Sequence, residues 1–319
     1  MHPRTEAFER LGGRHDVRVL EPSPPAVNEP PWFADDPVAL DGADPASVVR
    51  PVPGGPTWDD LARDDPDLAS WCAARWLGAW RPLVAITDAS AFSTTRRSWH
   101  QLAEHVLAAA RWHATTKIGL RFTHDGIGTP FYGADRQARI AGTELVVVDD
   151  GVEQAQEITT LRAAAALVDV PLGAPTEVFT PTTPVEPDAA LPVNGEAAAR
   201  LGDWYGFACS ALEALRAETD PAAAPSRVQL WPEHLDLAID LGDEAGGGRG
   251  TFGASPGDDE HPEPYLYVTH WGDMPDHRYW DDPAFGGASL AYGRLLAAAD
   301  QREAALEFFR RGRGLLTGR

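Results

Sequence analysis

Hydrophobic positions along the chain change period several times, and each change predicts an element. From Asp67 the residues Leu68, Trp71, Cys72, Trp76, Ala79 and Trp80 recur at three- and four-residue spacing, the stripe of an amphipathic helix packed by tryptophan. A second helix is predicted over about 99–112, with Leu102, Val106 and Ala110 inward. The period then drops to two: Ile118, Leu120 and Phe122 alternate with Lys117, Gly119 and Arg121, as on a half-buried strand. Asp125-Gly126 and Asp149-Asp150-Gly151 supply turns, Glu144–Val148 reads as a strand, and Thr159-Thr160 open a helix through Leu161, Ala165 and Val168.

Beyond a stretch with six prolines at 171–193 the scheme returns. A helix is predicted over 196–217, with Leu201, Trp204, Ala208, Leu212 and Leu215 on one face, followed by a strand over 228–241. A Gly-rich turn at 246–250, short strands near 250–254 and 264–270, and a helical C-terminus over 288–316, broken near Ala299–Asp300, complete the chain. The strand entries Thr116-Lys117-Ile118-Gly119-Leu120 and Ser226-Arg227-Val228-Gln229-Leu230 can be set side by side, and His124 and His234 then occupy corresponding positions. The expected fold is α+β: an antiparallel sheet with helices packed on it, in two similar helix–strands–helix halves. The halves are placed at 66–170 and 196–319, packed as one domain and joined by a Pro-rich crossover at 171–195. Residues 1–65 read as an irregular Pro/Asp-rich arm, docked through Trp32 and Phe33.

Composition then narrows the partners. Among 319 residues, 27 are Lys or Arg and 48 are Asp or Glu, a formal charge of −21. Nucleic-acid affinity rests on cations neutralising phosphates, so no nucleic-acid partner is expected. No uncharged apolar run reaches the roughly 20 residues of a spanning helix, and Arg4, Glu6, Glu9, Arg10 and Arg14 break any apolar core of a signal peptide, so no membrane partner is expected either. Cys72 and Cys209 fall within helical patterns and read as reduced core residues of a cytoplasmic protein.

The segment Trp231-Pro232-Glu233-His234-Leu235-Asp236-Leu237-Ala238, with Gly253-Ala254-Ser255-Pro256-Gly257 and Glu263-Pro264-Tyr265-Leu266-Tyr267-Val268, resembles a family of uncharacterised bacterial proteins. That family has a tryptophan-led strand ending in Phe-Asp-Leu-Ala, then Gly-Phe-x-Pro-Gly, then Glu-Pro and tyrosines. Here Leu235 replaces the first phenylalanine, and the phenylalanine of the glycine motif is missing. The resemblance spans about 196–316 and, more weakly, 98–170. It implies the order of elements and carries no activity.

Few residue patterns remain that could carry chemistry. Gly253-Ala254-Ser255-Pro256-Gly257 has the spacing of a nucleophile elbow, but Pro256 has no N–H to serve an oxyanion and no helical pattern follows, so a serine hydrolase is rejected. His261, Glu263, His270, Asp273, Asp276 and His277 are suitable metal-ligand types, but His270-x6-His277 is no recognised ligand spacing, so no metal and no cofactor are assigned. On the predicted strand, His234 and Asp236 share one face, opposite Leu235 and Leu237; a carboxylate beside an imidazole can fix its tautomer and raise its basicity. A polar solvent face continued by Asp240 explains the same row without chemistry. The catalytic candidates are therefore His234, Asp236 and Glu233, and the ligand-binding candidates Trp231, His124, Tyr265, Tyr267 and Trp271. The function expected is an enzyme or small-molecule binder using that face; the alternative is a non-catalytic interaction protein using an exposed aromatic patch or the N-terminal arm.

Overall fold

Asp88 starts the second helix well before the apolar stripe that announces it, because its carboxylate accepts the Ala91 N–H at 2.9 Å and caps the first turn. The computed structural model describes residues 81–123, 125–130, 132, 136–149, 152–226, 228–258, 260–272, 276–282 and 286–317. The predicted arm over 1–65, the tryptophan helix from Asp67, Cys72 and His124 lie outside the described residues. Helix α1 (Ala89–Leu102) continues through a π-helical turn (Ala103–Leu107) into α2 (Ala108–Thr115). Phe92, Trp99, Leu102 and Val106 form its buried apolar side.

Five antiparallel strands follow as a meander: β1 (Arg121–Thr123), β2 (Gly126–Gly128), β3 (Gln137–Ala141), β4 (Glu144–Asp149) and β5 (Val152–Glu157), paired in chain order. Helix α3 (Leu161–Val168) starts at Thr160, whose hydroxyl accepts the Ala163 N–H. After the crossover, α4 (Gly195–Ala217) is capped by Asn194, whose side chain accepts the Ala197 N–H at 3.0 Å. A second meander, β6 (Gln229–Trp231), β7 (Asp236–Leu241), β8 (Gly250–Ser255), β9 (Tyr265–His270) and β10 (Ala288–Ala291), again pairs in chain order. It is followed by α5 (Tyr292–Leu296) and α6 (Gln301–Thr317). The fold is α+β, with two open five-stranded antiparallel sheets and helices packed on them.

Two predicted elements change character. The strand expected over 228–241 is a hairpin, with Trp231 paired to Asp236 across the loop Pro232–Leu235. Pro232 cannot donate to a ladder, and Leu235 turns the chain with a left-handed φ of 55°. The expected C-terminal helix begins instead as β10, because Ala288–Ala291 pair with Tyr265–Val268 at the sheet edge. Its predicted break is present: Asp300 accepts the Glu303 N–H at 2.9 Å and starts α6 afresh.

The two sheets meet edge to edge. Leu120 N–H donates to the Leu230 carbonyl at 2.7 Å and Leu230 N–H returns the bond at 2.8 Å. These are the two positions that the side-by-side alignment of the strand entries makes equivalent. Helix α4 lies against strands of both sheets and against α1 and α6, and its buried Leu201, Trp204, Tyr205, Phe207 and Ala208 belong to one hydrophobic core that spans both halves. Gly202 permits that approach, since a Cβ there would stand 3.0 Å from the backbone carbon and oxygen of Asp125.

Candidate functional site

The β6–β7 loop, the polar edge of α1 and the loop after β8 enclose a cavity of about 580 Å³. The loop supplies Glu233, His234 and, at its end, Asp236. Its shape is fixed by the left-handed Leu235, whose buried carbonyl accepts the Tyr205 hydroxyl of α4 at 2.7 Å. His234 thus sits in the turn and not on a strand, so period-two alternation does not place it beside Asp236. The loop curvature brings both to the same wall. His234 is exposed, whereas Asp236 is only 6 % accessible.

The predicted solvent row is therefore corrected: Asp236 and Asp240 are both buried. They face a second cavity, of about 410 Å³, roofed by Ile118 and by Val178 and Phe179 of the crossover. Trp231 and Trp271 line this second cavity, Tyr265 lines the first, and Glu233, His234, Asp236 and Tyr267 form the wall that the two share. Asp240 is satisfied by the Thr251 hydroxyl at 2.7 Å. Asp236 is only half satisfied: Tyr267 donates a hydrogen bond to its Oδ2, and its buried Oδ1 has no partner among the described residues.

Gly253 is why Tyr267 reaches that far. The two are cross-strand partners on β8 and β9, and a Cβ at Gly253 would overlap the tyrosine ring that lies across it on the way to β7. At the other end of the motif, Gly257 has φ 97°, and a Cβ there would stand 2.6 Å from the Arg96 guanidinium. Both glycines of the elbow-like sequence thus clear space for neighbours, while Ser255 turns its hydroxyl back to accept the Gly257 N–H at 3.1 Å. No helix follows among the described residues up to β9.

Burial sets the electrostatics of the shared wall. It pushes the Asp236 carboxyl up from its ordinary value, against the opposing pull of His234 and the Tyr267 hydrogen bond. Glu233 is raised in the same way, with Asp236 and Glu104 adding repulsion, and its Oε2 also lacks a partner among the described residues. Burial raises the Tyr205 and Tyr267 phenols well above their usual range, helped by the charge of Asp236. His100 is lowered by burial, which outweighs the attraction of Glu104. Asp258 behaves differently: burial raises it, but hydrogen bonds from the His261 and Glu260 N–H groups and the Tyr265 hydroxyl bring it below the ordinary value.

Several residues at the site were not singled out from the sequence. Arg96, Arg97, His100 and Gln101 line the cavity from α1, and Glu104 follows one turn later. Arg97, His100, Gln101 and Glu104 recur at three- and four-residue spacing away from Phe92, Trp99 and Leu102, with the buried Arg96 at the border, a polar stripe that becomes legible once the helix is started at Asp88. Glu104 is fully buried in the π-helical turn and clamps the crossover: it accepts the Thr182 N–H at 2.7 Å, the Thr183 N–H at 2.9 Å and both threonine hydroxyls. His105, its neighbour, meets the same segment, with Nε2 3.0 Å from the Thr183 carbonyl. Consecutive residues of a regular helix point about 100° apart; the π-helical turn is where two such neighbours grip one strap.

Three of the other histidines are engaged locally. His261 Nε2 lies 3.2 Å from Asp282, His270 Nδ1 lies 2.6 Å from the Gly272 carbonyl, and His277 Nδ1 accepts the Tyr279 N–H at 3.0 Å. Among the described residues no group of three His, Cys, Asp or Glu side chains is arranged to hold a metal ion. No helix among them is long and apolar enough to cross a membrane. Comparison with protein-family models, with curated proteins and with solved structures finds no match.

Proposed function

We propose that the protein binds a small polar molecule in the cavity between α1 and the β6–β7 loop, with Glu233, His234 and Asp236 as the groups that meet it. One observation carries this reading: Asp236 is buried at a cavity wall with one carboxyl oxygen satisfied by Tyr267 and the other without a partner among the described residues. A buried polar atom without a hydrogen bond costs about 1–3 kcal/mol, so an acceptor of this kind at a cavity wall is a point at which a ligand's donor gains free energy on binding. The setting suits recognition: a concavity of a few hundred Å³ with a few convergent polar groups and aromatic walls. It also suits proton exchange, since carboxyls raised by burial stand beside the exposed imidazole of His234.

A thermal-shift screen of a metabolite library identifies the ligand, and Asp236→Asn, Glu233→Gln and His234→Ala test the site. The expected result is loss of the ligand-induced shift in Asp236→Asn and Glu233→Gln, weakening in His234→Ala, and unchanged far-UV circular dichroism in all three. A ligand that shifts the three variants as it shifts the wild type would sink the assignment.

A further inference from the structure

The walls of this cavity differ in charge, and that difference says what kind of molecule fits. On the loop side stand Glu233 and Asp236, each with a buried oxygen that accepts nothing among the described residues. Asp258, the third carboxylate at the cavity, already accepts two backbone N–H groups and the Tyr265 hydroxyl, so neither of its oxygens is left without a donor. Glu104 is likewise spent on Thr182 and Thr183. The free acceptor capacity is thus concentrated on the Glu233–Asp236 pair. On the helix side the positive groups are Arg96 and Arg97. Arg96 is buried and donates to the Asp258 and Pro262 carbonyls. Arg97 is exposed at the cavity, donates only to the Ser93 hydroxyl at 3.2 Å, and makes no ion pair among the described residues.

We infer that the ligand is a zwitterion of amino-acid type, with its ammonium group on the free oxygens of Glu233 and Asp236 and its carboxylate on Arg97. The inference rests on the small-molecule reading above and deepens it. An ammonium brings three donors and a positive charge. It satisfies both orphaned oxygens and relieves the repulsion between the two carboxylates, which a neutral hydroxyl cannot do. Arg97 supplies the planar fork that pairs with a carboxylate through two parallel bonds. Both carboxyls must be ionised to hold the ammonium. Asp236 faces His234, Asp240, Tyr267, Tyr265 and Tyr205, and Glu233 faces His234, Asp236 and Glu104. Burial keeps both carboxyls protonated to higher pH than ordinary ones, so affinity for an ammonium rises with pH as they lose their protons.

The test is isothermal titration of the whole chain with the proteinogenic amino acids, each beside its decarboxylated amine and its deaminated acid. At least one amino acid is expected to bind, with its amine and its acid each about tenfold weaker or more. Arg97→Gln brings that amino acid down to the affinity of its amine, Asp236→Asn abolishes binding of both, and wild-type affinity climbs from about pH 5 to about pH 8. Circular dichroism reports whether each variant is folded, and Glu233→Gln replaces Asp236→Asn if the latter is not. Three results would overturn the inference: no amino acid binds, a deaminated acid or a neutral polyol binds more tightly than its amine, or affinity falls as pH rises. If the library screen still yields a ligand lost in Asp236→Asn, the small-molecule reading survives this failure; if neither experiment yields a ligand, both fail together.

Discussion

Asp236 shows how one side chain can be buried at the expense of the fold. Its carboxyl is raised in the folded protein by burial, as is that of Glu233. For a carboxyl raised on folding, the contribution to stability is complete below the ordinary carboxyl range and is lost as pH climbs through the folded value, because the unfolded chain ionises first. Asn and Gln keep the shape and remove the charge. The variant Asp236→Asn with Glu233→Gln should therefore gain in melting temperature over the wild type as pH rises from about 4 to about 8, by about 2–4 °C at the upper end. Parallel melting curves for the two proteins across that range would contradict it. Gly253 belongs to the same economy of space. In Gly253→Ala the new methyl group displaces the Tyr267 ring, so Asp236 loses the hydrogen bond that Tyr267 donates, and ligand affinity should fall about tenfold or more with the hairpin intact.

At the scale of elements, the π-helical turn and the crossover form one device. Glu104 holds the Thr182–Thr183 strap by both backbone N–H groups and both hydroxyls, and that strap closes one side of the cavity. Removing the carboxylate orphans two N–H groups together, so Glu104→Ala should destabilise by about 2–4 kcal/mol in urea unfolding. Glu104→Gln should recover part of this, since its amide oxygen accepts one of the two. Equal losses in both variants would mean that the carboxylate acts through charge and not as an acceptor. Little of this was legible beforehand. The apolar stripe Leu102, Val106 and Ala110 announced a helix, but nothing in it marks an inserted residue. A Pro-rich stretch says that the chain is extended without saying what it crosses.

At the scale of the molecule, the paired Leu120 and Leu230 join the sheets, and α4 packs against both, so the halves share one core. Urea unfolding followed by tryptophan fluorescence and by circular dichroism should give coincident single transitions, and the Leu120 and Leu230 amides should exchange only through global opening. Two separated transitions would divide the chain into independent halves. The alternation and helical stripes determine most of this architecture in advance: the fold class, the long helix of the second half, the strands around Phe122, Val146, Phe252 and Leu266, and the break before α6. They do so because burial of one face is a local property with a fixed period. What only tertiary structure decides is the hairpin at Pro232–Leu235, the burial of Asp236 and Asp240, and the polar edge of α1 that faces them. A carboxylate reads as solvent-facing until another element covers it. The covering pieces, β9 with Tyr267 and the crossover with Phe179, lie dozens of residues away in the chain, where no local period can report them.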